Sequence, residues 1–181
     1  MIGRAELFRV VLGLCLLCGG SWGDAAEPGG STLRRGSLTP GQQAPHFAAQ
    51  GLDGQTIALQ EYQGRPVVLN FWATWCVPCR REMPVLQAVY EAHQTAGLVI
   101  LAINQDQLGP AEAVRAYYAT LGLTLPSLLD PDGQVATRYN VFLLPSTVFI
   151  HPTGTITAVH FGPMTHAQIE RYLTAIMPQE Q

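Results

Sequence analysis

The stretch that most limits what this chain can fold into is Trp75-Cys76-Val77-Pro78-Cys79, which stands where the periodicity of the sequence changes. Upstream, Val67, Val68, Leu69, Phe71 and Trp72 form a β-prone apolar run behind Gly64 and Pro66, long enough for a buried strand. Downstream, Met83, Leu86, Val89 and Tyr90 recur at spacings of three and four, which predicts an amphipathic helix over residues 76–95. Pro84 lies inside it and removes a backbone hydrogen bond, yet the apolar period continues beyond. The two cysteines therefore fall at a strand end and a helix start. Unpaired N–H groups and the positive end of the helix dipole favour a thiolate there. A thiol pKa between ~3.5 and ~7.5, against ~8.5 for a free cysteine, is typical of such a CxxC. Cys76 is expected to be the exposed nucleophile and Cys79, one turn further in, the more buried resolving thiol.

A CxxC can also be half of a zinc site, but structural zinc wants four ligands. The other cysteines, Cys15 and Cys18, sit in a segment that reads as an export signal. Haem attachment needs CxxCH, and Arg80 stands at the His position. Context favours a redox pair.

The export signal is read from Arg4 and Arg9, followed by an apolar run from Val10 to Cys18 and small residues at Ser21 and Gly23. The run is too short to span a bilayer, which takes ~20 residues. Cleavage before Asp24 makes 1–23 a signal peptide, with a lipidated cysteine or an uncleaved anchor as alternatives. Residues 24–37, rich in Gly, Ser and Pro, read as a flexible linker, and 38–181 as the folded domain. Cleavage leaves Cys76 and Cys79 as the sole cysteines. An exported chain with one such local pair is not a disulfide scaffold, so chemistry is the better reason for the pair. The 181 residues, 48% hydrophobic and 13% charged, suffice for one domain with a real core. A net charge of −3 offers no basic field for nucleic acid.

Within the domain, His46–Gln50 and Gln55–Leu59 flank the turn dipeptide Asp53-Gly54 and predict a β-hairpin on the edge of a larger sheet. His46 is expected at the surface. The run from Leu98 to Asn104 suits a parallel strand buried on both faces. Ala111–Leu121 predicts a helix, Leu125–Leu129 a short apolar segment, and Asp130–Gly133 a turn into a helical turn at Val135–Tyr139. Ser146–Ile150 and Thr155–Phe161 predict a second hairpin. Thr165 caps a last helix with Ile169, Tyr172, Leu173 and Ile176 as its buried stripe. The order implies an α/β fold with a mixed sheet and helices on both faces.

These residues carry a resemblance. Phe71-Trp-Ala-Thr-Trp-Cys-Val-Pro-Cys79, Pro84 five residues later and Pro145 before a strand resemble the thioredoxin fold. Gly41-x-x-Ala44-Pro45-x-Phe47, Leu69–Trp75, Arg80-Arg81-Glu82-x-Pro84, Tyr139-x-Val141 and Pro145-Ser-Thr-Val-Phe149 are similar to the TlpA/ResA-like thiol-disulfide oxidoreductases, over roughly residues 38–178. The resemblance implies a thioredoxin fold with an N-terminal β-hairpin extension and a helix inserted in the βαβ connection. It implies a redox-active Cys76–Cys79 disulfide as the working group, with no bound cofactor or metal. It also implies a cis peptide at Leu144-Pro145, turning the backbone of residue 144 toward the cysteines so that a partner strand can pair there. Trp75, Pro78, Leu144 and Pro145 are the expected substrate contacts, whereas Trp72 and Phe71 are expected in the core. Asn70 replaces the buried Asp of cytoplasmic thioredoxins and cannot titrate. Glu82 stands where the TlpA/ResA-like proteins carry an acid and shares a helix face with Cys79. It is expected to take the proton of Cys79, against the simpler reading of a solvated acid in the first turn.

The implied chemistry is thiol–disulfide exchange with protein disulfides, at the periplasm or outer face of the cytoplasmic membrane. The favoured direction is reductive: a membrane thiol donor, a tether at the N-terminus, a monomeric domain, and an apocytochrome c CxxCH pair as client. A DsbA-like oxidant, a peroxiredoxin-like peroxidase and a copper or zinc thiol chaperone, using His151, His160 or His166, are the alternatives.

Overall fold

The computed structural model describes residues 38–107, 109 and 111–178. The expected signal segment 1–23 and linker 24–37 lie outside the described residues. The strands are β1 (Ala48–Gly51), β2 (Thr56–Ala58), β3 (Val67–Trp72), β4 (Val99–Asn104), β5 (Ser127–Leu129), β6 (Ser146–Ile150) and β7 (Ile156–Phe161). The helices are α1 (Val77–His93), α2 (Ala111–Leu121), α3 (Gln134–Arg138) and α4 (His166–Leu173). They form a thioredoxin-fold α/β domain whose mixed seven-stranded sheet runs β2-β1-β5-β4-β3-β6-β7. Among the described residues no helix is long and apolar enough to cross a membrane.

The centre of the sheet is parallel. β3 pairs with β4 and β4 with β5, joined through α1 and α2 as crossovers. Every residue of β3 and β4 is buried, as continuous apolar runs require when helices cover both faces. Alternation sorts their side chains into two cores. Val68, Trp72, Ile100 and Ala102 pack with α1, α2 and α4 through Met83, Leu86, Val114 and Ile169. Leu69, Phe71, Leu101 and Ile103 pack on the other side with Phe47, Leu59, Val135 and Tyr139. The β1–β2 hairpin extends the sheet at one edge by pairing antiparallel with β5, and α2 is the inserted helix between β4 and β5.

The register of β6 fixes the two poles of the domain. Ser146 lies opposite Phe71 and Ile150 opposite Val67. The Pro145 end of β6 therefore adjoins the end of β3 from which the Cys76 loop departs, and the 151–154 turn adjoins the far end. The entering segment is pinned at that far end. Gly41 N donates to Ile156 O at 2.8 Å, Ala44 N to Gly154 O at 2.9 Å, and Ile156 N to Gln42 O at 2.8 Å. Gly154, at φ +83°, turns the hairpin there, and a Cβ on it would stand 2.9 Å from Gln43 Oε1.

Candidate active site

Cys76 is the N-cap of α1. Its backbone is extended, its carbonyl accepts from Arg80 N at 3.0 Å, and its Sγ accepts from Cys79 N at 3.3 Å. Pro78 sits in the first turn, where its missing N–H removes no helical bond. Cys76 and Cys79 are joined as a disulfide with Cα atoms 5.3 Å apart. The helix thus starts on the sulfur expected to react, and orphan N–H groups converge there. One expectation is corrected. In the closed disulfide Cys76 is buried, at 5% exposure, because the pair belongs to the core that holds Trp72, Ala73 and Met83; Cys79, at 1%, is still the deeper of the two.

The loop between β3 and α1 is held from the side. Asp106 is buried just beyond β4, and its carboxylate accepts from Thr74 N at 3.1 and 3.3 Å and from Asn104 Nδ2 at 3.1 Å. Gln105 N donates to Trp72 O at 2.8 Å. Asp130 accepts from Gln105 Nε2, Val135 N and Ala136 N, which ties this corner to the start of α3.

Beside the loop runs a groove of about 500 Å³, lined by Thr74, Trp75, Asp106, Phe142, Leu143 and Leu144 among others. Trp75 is 68% exposed and Phe142 73% exposed. Both rings line the groove on its open side. The Leu144-Pro145 peptide is cis, Pro145 is buried, and its carbonyl accepts from Gly162 N at 2.9 Å. Trp75 and Leu144 thus face one groove, Pro145 forms the entry to β6, and Pro78 is exposed on the outer turn of α1. Trp72 and Phe71 are fully buried. Sequence reading missed Phe142, Leu143 and Asp106. An apolar triplet directly before Pro145, with no element to bury it, was the available signal for the first two; nothing distinguished Asp106 from an ordinary loop acid.

Glu82 is not a solvated acid. It is 2% exposed, on the inner face of α1 one turn beyond Cys79. Its Oε1 accepts from Met164 N at 2.8 Å and its Oε2 from Asn70 Nδ2 at 3.2 Å. Burial pushes its pKa up from 4.5 to about 7, against the opposing pull of the Met164 N–H and the Asn70 amide. An acid held in that range exchanges protons near neutrality. His151 bonds Thr153 at the far pole, His160 meets Tyr172, and His166 faces Glu170. Among the described residues no group of three or more His, Cys, Asp or Glu is arranged to hold a metal ion.

Known proteins resemble this chain in sequence and fold. Residues 40–159 match the AhpC/TSA family. The thiol-disulfide oxidoreductase ResA of Geobacillus kaustophilus is 40% identical over 142 residues, covering 78% of this chain and 80% of that protein. The crystal structure of a thiol:disulfide interchange protein DsbE from Chlorobium tepidum superposes with a TM-score of 0.72 at 28% identity, covering 77% of this chain and 99% of that one. A secreted Mycobacterium tuberculosis disulfide oxidoreductase, homologous to E. coli DsbE, gives 0.64 at 28% identity over 71% and 95% of the two chains. With a sulfur pair capping α1 and relatives of this kind across most of its length, the chain belongs to the thioredoxin-like AhpC/TSA family and is a thiol–disulfide oxidoreductase of the ResA kind, its CxxC pair at Cys76 and Cys79.

Proposed function

We propose that this oxidoreductase works outside the cytoplasm as a reductant of protein disulfides, with Cys76 as nucleophile, Cys79 as resolving thiol and Glu82 as the acceptor of the Cys79 proton. The observation that carries the reading is the placement of a buried carboxyl one turn behind the sulfur pair on the same helix. In the reduced protein the Cys76 thiolate attacks one sulfur of a client disulfide. The client S–S bond breaks, a mixed disulfide forms, and the released client sulfur leaves as a thiolate that takes a proton from water. Cys79 then passes its proton to the Glu82 carboxylate and attacks Cys76 Sγ. The second client sulfur departs, two electrons have moved to the client, and Cys76–Cys79 is oxidised. Trp75, Pro78, Leu144 and Pro145 frame the approach, and an extended client segment pairs alongside residue 144.

Export rests on the Arg4/Arg9 leader with its apolar core, and is consistent with a relative described as secreted. An apocytochrome c CxxCH pair as client and a membrane thiol donor as the source of electrons rest on the family resemblance. A monomeric domain held near the membrane by its N-terminus completes the proposal.

The test is the equilibrium potential of Cys76–Cys79 against glutathione, together with partner capture by Cys79→Ser. A reductant lies nearer the ~−270 mV of thioredoxin than the ~−120 mV of DsbA, and the two differ by about 7 kcal/mol. A value near the latter reverses the direction and makes the protein an oxidant. Cys79→Ser should accumulate mixed disulfides through Cys76, and capture of no disulfide-bearing protein refutes the client class.

A further inference from the structure

Asn70 interrupts an otherwise apolar strand. It is completely buried on β3, and strand alternation puts it on the α1 side with Val68 and Trp72. Its Nδ2 donates twice, to Glu82 Oε2 at 3.2 Å and to Thr147 Oγ1 of β6 at 3.0 Å. Its Oδ1 is buried without a partner. The groups bonded to Glu82 are this amide from β3 and the Met164 N–H ahead of α4, with Thr147 behind the amide on β6; Cys79 is buried three residues before it on α1. Among the described residues no charged side chain acts on it.

This orientation suits an ionised Glu82, since both of its oxygens accept and both amide hydrogens are used. A protonated Glu82 presents a hydroxyl that needs an acceptor, and Asn70 then offers it only N–H. A half-turn about Cβ–Cγ exchanges Oδ1 and Nδ2. Oδ1 can then accept from the Glu82 hydroxyl, and the Thr147 hydroxyl, which can do either, turns to donate. The half-turn replaces one orphan acceptor with an amino group whose two N–H donors lack partners, and against that it gives the Glu82 hydroxyl an acceptor and gains the Thr147 hydroxyl as a donor.

We propose that Asn70 is a positioning residue for disulfide exchange whose amide turns over with the charge of Glu82, donating to the carboxylate and accepting from the carboxylic acid. The inference rests on the reading of Glu82 as proton acceptor for Cys79. When Cys79 S–H transfers its proton, the hydrogen bonds to a Glu82 oxygen and the electron pair stays on sulfur as the thiolate. The Asn70 amide reorients to receive the new O–H, and the carboxyl is held in one place in both charge states.

The test uses the oxidised full-length protein, in which neither cysteine titrates. Side-chain NMR follows the Asn70 NH₂ group and the Glu82 carboxyl carbon between pH 5 and 9. Nuclear Overhauser contacts from the Asn70 amide hydrogens to the Thr147 side chain are expected above the Glu82 midpoint and lost below it, and in Glu82→Gln they no longer depend on pH. Contacts that persist unchanged while the Glu82 carboxyl titrates overturn the inference and leave Glu82 as a proton acceptor. A Glu82 carboxyl that does not titrate in this range overturns both. Asn70→Leu gives a second readout. An amide that serves both charge states withdraws support from both, so the Glu82 midpoint moves less than about tenfold in proton concentration; loss of a fixed donor to the carboxylate would raise it about ten- to a hundredfold, and that result refutes the turnover.

Discussion

Replacing Glu82 by Gln should remove a pH dependence of the domain's stability that one buried carboxyl sets. In the folded protein burial raises the Glu82 pKa to about 7, whereas an unfolded chain leaves it near 4.5. Below pH 4.5 the group is protonated in both states and contributes nothing. Between 4.5 and 7 the folded state holds a proton that the unfolded state has released, so stability falls as pH rises. Above 7 the group is ionised in both, and the full penalty remains. At 1.36 kcal/mol per unit the penalty is about 3 kcal/mol. The neutral Gln escapes it, and its amide oxygen can still accept one of the two N–H groups that meet Glu82, from Met164 or Asn70. The measurement is urea unfolding of the oxidised wild-type and Glu82→Gln proteins at pH 4.5 and pH 8. On going to pH 8 the wild type should lose about 3 kcal/mol relative to the variant, while all other titrating groups cancel in the comparison. A difference between the two proteins that stays constant within about 1 kcal/mol across this range would refute the buried, charge-penalised carboxyl and the proton-acceptor role built on it.

The two tryptophans should separate cleanly. Trp72→Ala, removing a ring packed against Tyr117 and Tyr118 at 5.3 and 5.8 Å, should cost about 3–5 kcal/mol in chemical unfolding. Trp75→Ala should change stability by less than about 0.5 kcal/mol but raise the KM for protein disulfides and spare reduction by a small dithiol; an unaltered KM would remove Trp75 from the docking surface. Asp106→Ala strands the Thr74 N–H and the Asn104 amide and should cost about 1–3 kcal/mol, with slower exchange at Cys76, and a neutral effect on both would show that the clamp is dispensable. Asp130→Ala takes the acceptor from Gln105, Val135 and Ala136 at once and should lower stability by at least about 2 kcal/mol, read by the urea midpoint.

Most of the architecture was legible because it follows local rules. The runs at 67–72 and 98–104 are apolar without alternation, and both became central parallel strands. The hairpin around Asp53-Gly54 joined the sheet edge, and Thr165 capped α4 with Gln168 completing the box. What escaped sequence reading depends on contacts across long separations. Glu82 is three residues from Cys79, but the atoms that receive it belong to residues 70 and 164, and no periodicity announces that an acid in the second turn of α1 will be sealed by a loop 82 residues away. Asp106 follows an apolar strand as any surface acid might, and its role appears only when the strand register brings it to Thr74. The exposure of Cys76 was misjudged for a related reason. A helix N-terminus faces outward by default, whereas here the preceding loop is tied to the end of β4 by hydrogen bonds from Gln105 N to Trp72 O and from Thr74 N to Asp106, and Cys76 is buried.

The anchoring of residues 41–44 to the 154–156 turn decides how the domain is presented. Residues 41–44 are pinned at one end of the sheet's central strands, and the reducible bond sits at the opposite end, the length of β6 away. A protein that docks at the Cys76 end therefore leaves the 41–44 anchor uncovered.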